Sequence, residues 1–138
     1  MPQPCRLLRG RVFVALALLL STGASADEVG NAARGERAFQ RCYACHSVDP
    51  DEKAKLQGPS LYQIIGRPAG AIAGFDYSDA MRDKGAAGLV WDAATLERYI
   101  ADPEGVVPGT RMIVPPLRDA RERADLIAYL ARSGHFAP

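Results

Sequence analysis

Apolar and polar positions along the chain resolve into four helical stretches separated by long segments with no period. From about Asn31 to Cys42, the residues Ala32, Gly35, Ala38, Phe39 and Cys42 recur at the spacing of one helix face. A short second turn is predicted from Ser78 to Lys84, stopping at Gly85. The third helix starts at Asp92, a good N-cap directly after Trp91, and carries Leu96, Tyr99 and Ile100 inward. Pro103 ends it, because the residue before a proline is pushed out of helical geometry. The fourth helix has the strongest signal. Asp119 followed by Glu122 resembles a capping box, Ala120, Ala124, Ile127, Leu130 and Ala131 keep the helical spacing, and Gly134 is a natural stop. No stretch alternates as a strand would and no internal repeat is present, so the expected fold class is all-α, with about four to five short helices.

The segments between these helices, Asp49 to Gly74 and Pro103 to Pro116, are rich in glycine and proline. Structureless loops of that length are uncommon in a small domain, and short helices alone leave a thin core. A large buried apolar cofactor would remove the difficulty, because loops can pack against it from both sides.

The N-terminus follows a different rule. Arg6, Arg9 and Arg11 precede an unbroken apolar run, Val12 to Leu20, and Ala24-Ser25-Ala26 then offers small residues at the spacing signal peptidase accepts. The run is shorter than the roughly 20 residues needed to span a bilayer. Residues 1–26 are therefore expected to be a cleaved signal peptide and residues 27–138 the mature domain, exported to the periplasm. Retention of the segment as an anchor is the competing possibility. Cleavage would remove three of the 17 basic residues and none of the 16 acidic ones, so the whole-chain charge of +1 becomes −2. That balance gives no support to nucleic-acid binding.

Cleavage would also remove Cys5 and leave Cys42 and Cys45 as the sole pair. One cysteine pair in an exported protein would ordinarily form a disulfide. Here His46 follows at once, and C-x-x-C-H is the attachment pattern of haem c. On one helical turn the two thiols share a face, and the imidazole falls close to it. Three other readings compete. A thioredoxin-like redox pair would want a βαβ context; a structural zinc site would need four ligands, with His135 at the far terminus; a plain disulfide would need nothing more. For a second iron ligand the mature chain offers Met81, Met112 and His135, although most methionines simply fill core gaps. Met112 stands out because Pro108-Gly109-Thr110-Arg111 makes an extended turn before it and Pro115-Pro116 stiffens the exit.

Taken together, Gly35, Phe39, the C-x-x-C-H motif, Gly58-Pro59, Gly66-Arg67, Trp91, Tyr99, Pro-Gly-Thr-Arg-Met112 and Arg123-Ala-Asp-Leu-Ile-Ala-Tyr129-Leu130 occur in the order of a known family. The chain resembles the class I c-type cytochromes, mitochondrial cytochrome c and its soluble bacterial periplasmic relatives, over essentially the whole mature length. The resemblance implies a cytochrome c fold wrapped around one covalent haem c with its iron. It implies haem attachment at Cys42 and Cys45, and axial ligation by His46 and Met112. Pro59 would offer its carbonyl to the other ring nitrogen of His46. Tyr99 would hydrogen-bond near the Met112 sulfur, and Arg67, Tyr77 and Trp91 would hold the propionates. Gly35, Phe39, Leu126 and Tyr129 would form the contact between the first and last helices.

Three departures from the mitochondrial form stand out. There are extra residues after His46 and between Arg67 and Trp91, and Met81 replaces a usual asparagine near the distal side. The lysine-rich face is reduced to Lys53, Lys55 and Lys84, and Glu104 stands where a lysine is common. Arg37, Arg41 and Arg111 could form a smaller positive rim, so steering toward an acidic partner should be weaker.

The resemblance implies a single-electron carrier and not an enzyme. Its partners would be transient redox proteins, such as a membrane cytochrome complex, an oxidase, a dehydrogenase or a reaction centre. It would be a monomer without stable membrane insertion or a nucleic-acid partner. Two alternatives remain: a haem peroxidase or small-ligand binder with a labile distal methionine, and a dedicated subunit of one redox complex.

Overall fold

Among the described residues, each of five helices starts at a polar residue placed to cap it. A computed structural model describes residues 30–52 and 54–134. Among them are α1 (Ala32–Phe39), α2 (Asp79–Ala86), α3 (Ala93–Ala101), α4 (Pro103–Val106) and α5 (Ala120–Arg132). Each is capped by a side-chain oxygen that accepts a backbone N–H three residues on: Asn31, Ser78, Asp92, Asp102 and Asp119. Such caps contribute about 1 kcal/mol each, which matters for helices this short. The residues expected to form a signal peptide, along with Lys53 and His135, lie outside the described residues.

The chain departs from the sequence expectations at three helix ends. Regular helix in α1 stops at Phe39, and the chain continues toward Cys42 as tight turns. Gly85 does not end α2. Its missing side chain lets the helix pass the Ala69 carbonyl oxygen, which a Cβ would approach to 2.0 Å, and the turn out of the helix comes at Gly88, φ 91°. Pro103 ends α3 but also opens α4 as its first residue, a position where the absent N–H costs nothing. No strand forms among the described residues. A single antiparallel bridge, Pro68 with Val90, ties the loop after Ile64 to the segment entering α3.

The tightest packing is α1 on α5. Gly35 has no Cβ because one would lie 1.9 Å from the Asp125 carbonyl oxygen. Phe39 and Tyr129 then meet ring to ring, centroids 5.4 Å apart. Asp125 is buried on the same contact, where it accepts from the Asn31 N–H (2.6 Å) and from Nε and Nη2 of Arg34 (2.6 and 2.8 Å). Arg34 holds the Asp125 carboxyl below the ordinary carboxylate range. One core cluster joins Phe39, Ile64, Met81, Trp91, Leu96, Tyr99, Val107, Leu126 and Leu130, and Cys42, Tyr77 and Met112 pack against it from the loops. No helix among the described residues is long and apolar enough to cross a membrane.

Candidate functional site

The turns that follow α1 gather three reactive side chains within five residues. The Cys42 N–H bonds the Phe39 carbonyl (2.7 Å), and the Cys42 carbonyl in turn accepts from the N–H groups of Cys45 (3.0 Å) and His46 (2.9 Å). Both cysteines are free thiols and half-buried. Burial pushes the Cys42 thiol up, against a smaller opposing pull from Arg41. It is therefore not the low-pKa thiolate that a redox-exchange cysteine requires. Among the described residues no three His, Cys, Asp or Glu side chains converge as a metal cluster, and His135, which the zinc reading needs, lies outside them.

His46 is positioned by the loop that passes beneath it. The Gly58 N–H bonds the Cys45 carbonyl and the Leu61 N–H bonds the Ser47 carbonyl, each at 2.8 Å, so the two segments lie side by side. A Cβ at Gly58 would fall 2.3 Å from His46 Cε1, so glycine is what allows the ring to lie against the backbone here. The Pro59 carbonyl oxygen sits 2.7 Å from His46 Nδ1. An N–H on Nδ1 leaves the lone pair of Nε2 for a metal. Burial lowers the pKa of the ring, and the Pro59 carbonyl partly opposes this, a balance that favours the neutral, ligating form.

Within the core, Trp91 and Tyr99 meet at a tilt with centroids 4.9 Å apart, and burial pushes the Tyr99 hydroxyl up. The Tyr99 hydroxyl and Thr110 Oγ1 are 2.8 Å apart, and the Met112 N–H donates to that same Oγ1 at 3.2 Å. The hydroxyl expected near the Met112 sulfur thus has Thr110 as its hydrogen-bond partner, two residues earlier. Gly109, φ 85°, makes the turn that brings Thr110 back over α3, and its N–H bonds a Glu104 carboxylate oxygen. Met112 is half-buried, while the adjoining Ile113 is 98% exposed. Arg111 reaches the Asp76 carboxylate at 3.1 Å and holds that carboxyl below its ordinary range.

Arg67 and Trp91 are joined through their backbones, since the Trp91 N–H bonds the Arg67 carbonyl at 2.9 Å. The Arg67 guanidinium donates to the carbonyls of Ser60 and Tyr62, so it lies over the strip that carries Pro59. Tyr77 lies within electrostatic range of Arg67 and packs edge-on to Phe75. The residues singled out in the sequence form two groups around one core. Cys42, Cys45, His46 and Pro59 stand together, and Trp91, Tyr99 and Met112 stand together, with Arg67 and Tyr77 between. Sequence reasoning missed Thr110 as the link between Tyr99 and Met112. A hydroxyl inside a turn motif, next to a candidate ligand, was the available signal.

These groups fit a haem. Two unpaired thiols and an imidazole whose second nitrogen is already engaged are the donor set for covalent attachment and one axial bond, and the Gly58 cradle leaves no room for another use of that ring face.

A protein-family model described as Cytochrome c matches residues 32–133. The chain is similar to cytochrome c2 of Rhodomicrobium vannielii, 44% identical over 119 residues, covering 86% of this chain and 90% of that protein. It is also similar to cytochrome c type-1 of Ascaris suum, 47% identical over 102 residues, covering 73% of this chain and 87% of that one. Among solved structures, cytochrome c2 from Rhodospirillum centenum superposes with a TM-score of 0.71 at 36% identity, covering 76% of this chain and 99% of that chain.

Proposed function

The chain belongs to the cytochrome c family, and from that premise we propose that it is a soluble periplasmic carrier of single electrons with one haem c. Thioether bonds to Cys42 and Cys45 would attach the haem, and His46 and Met112 would ligate its iron. The observation that carries this reading is the 2.7 Å approach of the Pro59 carbonyl to His46 Nδ1, on the same turn as two free thiols. When bound, the haem supplies a ferric/ferrous one-electron couple.

The protein's own residues hold that couple steady. Pro59 fixes the tautomer and orientation of His46, which keeps Nε2 aimed in one direction. Tyr99 and Thr110 hold the backbone of Met112 from inside the core. A thioether ligand favours the ferrous state and raises the potential. Arg67, Tyr77 and Trp91 would receive the propionates. With His46 and Met112 both holding the iron, no coordination position would be left for substrate chemistry, which favours a carrier over an enzyme. Exposed Tyr43, inside the attachment motif, and Ile113, next to Met112, suit brief apolar contact with redox partners. The carrier acts as a monomer, and residues 1–26 are removed on export.

Intact mass and spectra of the protein purified from a periplasmic fraction test this reading together. The expected mass is that of residues 27–138 plus one haem with no free thiol. The expected ferric spectrum is low-spin, with the far-red methionine-to-iron band. A high-spin ferric spectrum at neutral pH would instead point to a small-ligand binder.

A further inference from the structure

Two of the contacts that hold the segment carrying Met112 are of opposite character. The inner one is the buried bond between Tyr99 and Thr110. The outer one is charged and open to water. Arg111, the residue before Met112, reaches across to the loop ahead of α2, with Nη1 3.1 Å from Asp76 Oδ2 and a second donation to the Asp76 backbone carbonyl. Asp76 is itself steadied from α2. Arg82 lies 3.9 Å from the other Asp76 oxygen, pairs with Asp79, and donates to the Tyr77 carbonyl. Ser78 caps α2 and Met81 buries it in the core, so the base of this arrangement does not move with the loop.

We infer that Asp76 is a positioning residue for the distal ligand: its carboxylate, oriented from α2 by Arg82, holds Arg111 and so keeps the 108–113 segment closed over the iron. The inference rests on Met112 being that ligand. It assigns Asp76 a role in the rate and extent of ligand exchange and none in the stability of the helical core. Arg111 is 57% and Asp76 86% exposed at the side chain, so water and salt screen the pair. Its effect is correspondingly modest. An exposed pair of this kind changes an equilibrium by about two- to fivefold.

The test uses ferric holoprotein and imidazole as a competing iron ligand, since imidazole can bind only when the Met112 segment opens. Asp76→Asn should raise the apparent imidazole affinity about two- to fivefold, with the denaturant midpoint of global unfolding unchanged. Asp76→Glu should restore most of the wild-type value. High ionic strength should move the wild type toward the Asn variant, a comparison that needs no substitution. Equal imidazole affinity in wild type and Asp76→Asn overturns the inference, as does a fall in the global unfolding midpoint that accounts for the whole change. Met112→Ala separates this from failure of the underlying reading. If that variant keeps the far-red band, Met112 is not the ligand and both fall; if it loses the band while Asp76→Asn behaves as wild type, the clamp alone falls.

Discussion

The two sides of the site are built by different means. His46 sits on a tight turn that continues α1, and Gly58 and Pro59 press on it from a segment bonded to it at both ends, Gly58 to Cys45 and Leu61 to Ser47. The turn is itself anchored through α1 to α5 by Gly35, Phe39 and Asp125. Met112 sits on a loop without regular structure, held by contacts that include a buried hydroxyl pair and an exposed ion pair, with a 98% exposed neighbour. A carrier that must keep its haem permanently while its potential is tuned has reason for this asymmetry. The covalent side is over-determined by backbone geometry, and the distal side is set by a few replaceable side-chain contacts. On the proposed ligation by Met112, the distal side is where ligand exchange should begin.

The comparison can be broken most severely from the proximal side. Gly58→Ala puts a Cβ against the His46 ring, and neither the ring nor the backbone it rests on can retreat without losing the Pro59 contact. Destabilisation of the holoprotein by about 3 kcal/mol is expected, together with loss of low-spin character. Denaturant unfolding and the ferric spectrum measure both, and a normal spectrum would show that the proximal side has more slack than its geometry implies.

Met112→Ala should be milder for the fold and absolute for the ligand. About 2 kcal/mol of stability goes with a half-buried methionine, the far-red band disappears, and the potential drops, as a redox titration would register. Smaller again is Tyr99→Phe, which leaves the ring on Trp91 but takes the hydroxyl from Thr110. About 1 kcal/mol is expected, with imidazole binding to the ferric protein strengthened because the inner anchor of the loop is gone. An unchanged imidazole affinity would mean that the loop is held elsewhere.

The mildest change is one of pH. Asp125 has its pKa lowered in the folded state, chiefly by the hydrogen bond from Arg34. Its contribution is therefore fully present above the ordinary carboxylate pKa of about 4, and it is lost as pH falls through the lower folded value. Acid unfolding of the wild type should show this loss, and Asp125→Asn should flatten that part of the profile while lowering stability at neutral pH. At neutral pH the wild type should show no pH dependence from this group. An identical acid limb in the two proteins would remove Asp125 from the anchoring of α1.

Much of this architecture was legible in the chain, for reasons that can be named residue by residue. Asp92 and Asp119 announce helix starts because a cap is a contact over three residues, and the α5 stripe of Ala124, Ile127 and Leu130 announces a buried face because helical period is local. Gly85 misled because two different causes favour glycine. Its role is close approach to the Ala69 backbone and not helix termination, and Ala69 is distant in sequence. Pro103 reads as a stop, and nothing local announces the four-residue helix it starts, because so short an element has no period. Asp125 gave no warning either. A carboxylate beside Leu126 looks like surface until α1 brings Arg34 and the Asn31 N–H to it.

What the sequence determined by itself is the chemistry available and the local frame for it. Cys42, Cys45 and His46 lie within one turn, so their spacing needs no distant partner to make sense, and the helices that cap themselves are equally self-contained. Tertiary structure alone decided which groups complete each other. Thr110 stands between Tyr99 and Met112, Asp76 faces Arg111, and Asp125 ties α1 to α5. These pairings span from two to about ninety residues of chain. They depend on how loops with no period of their own fold back over a core, and that is governed by packing, which no local pattern encodes.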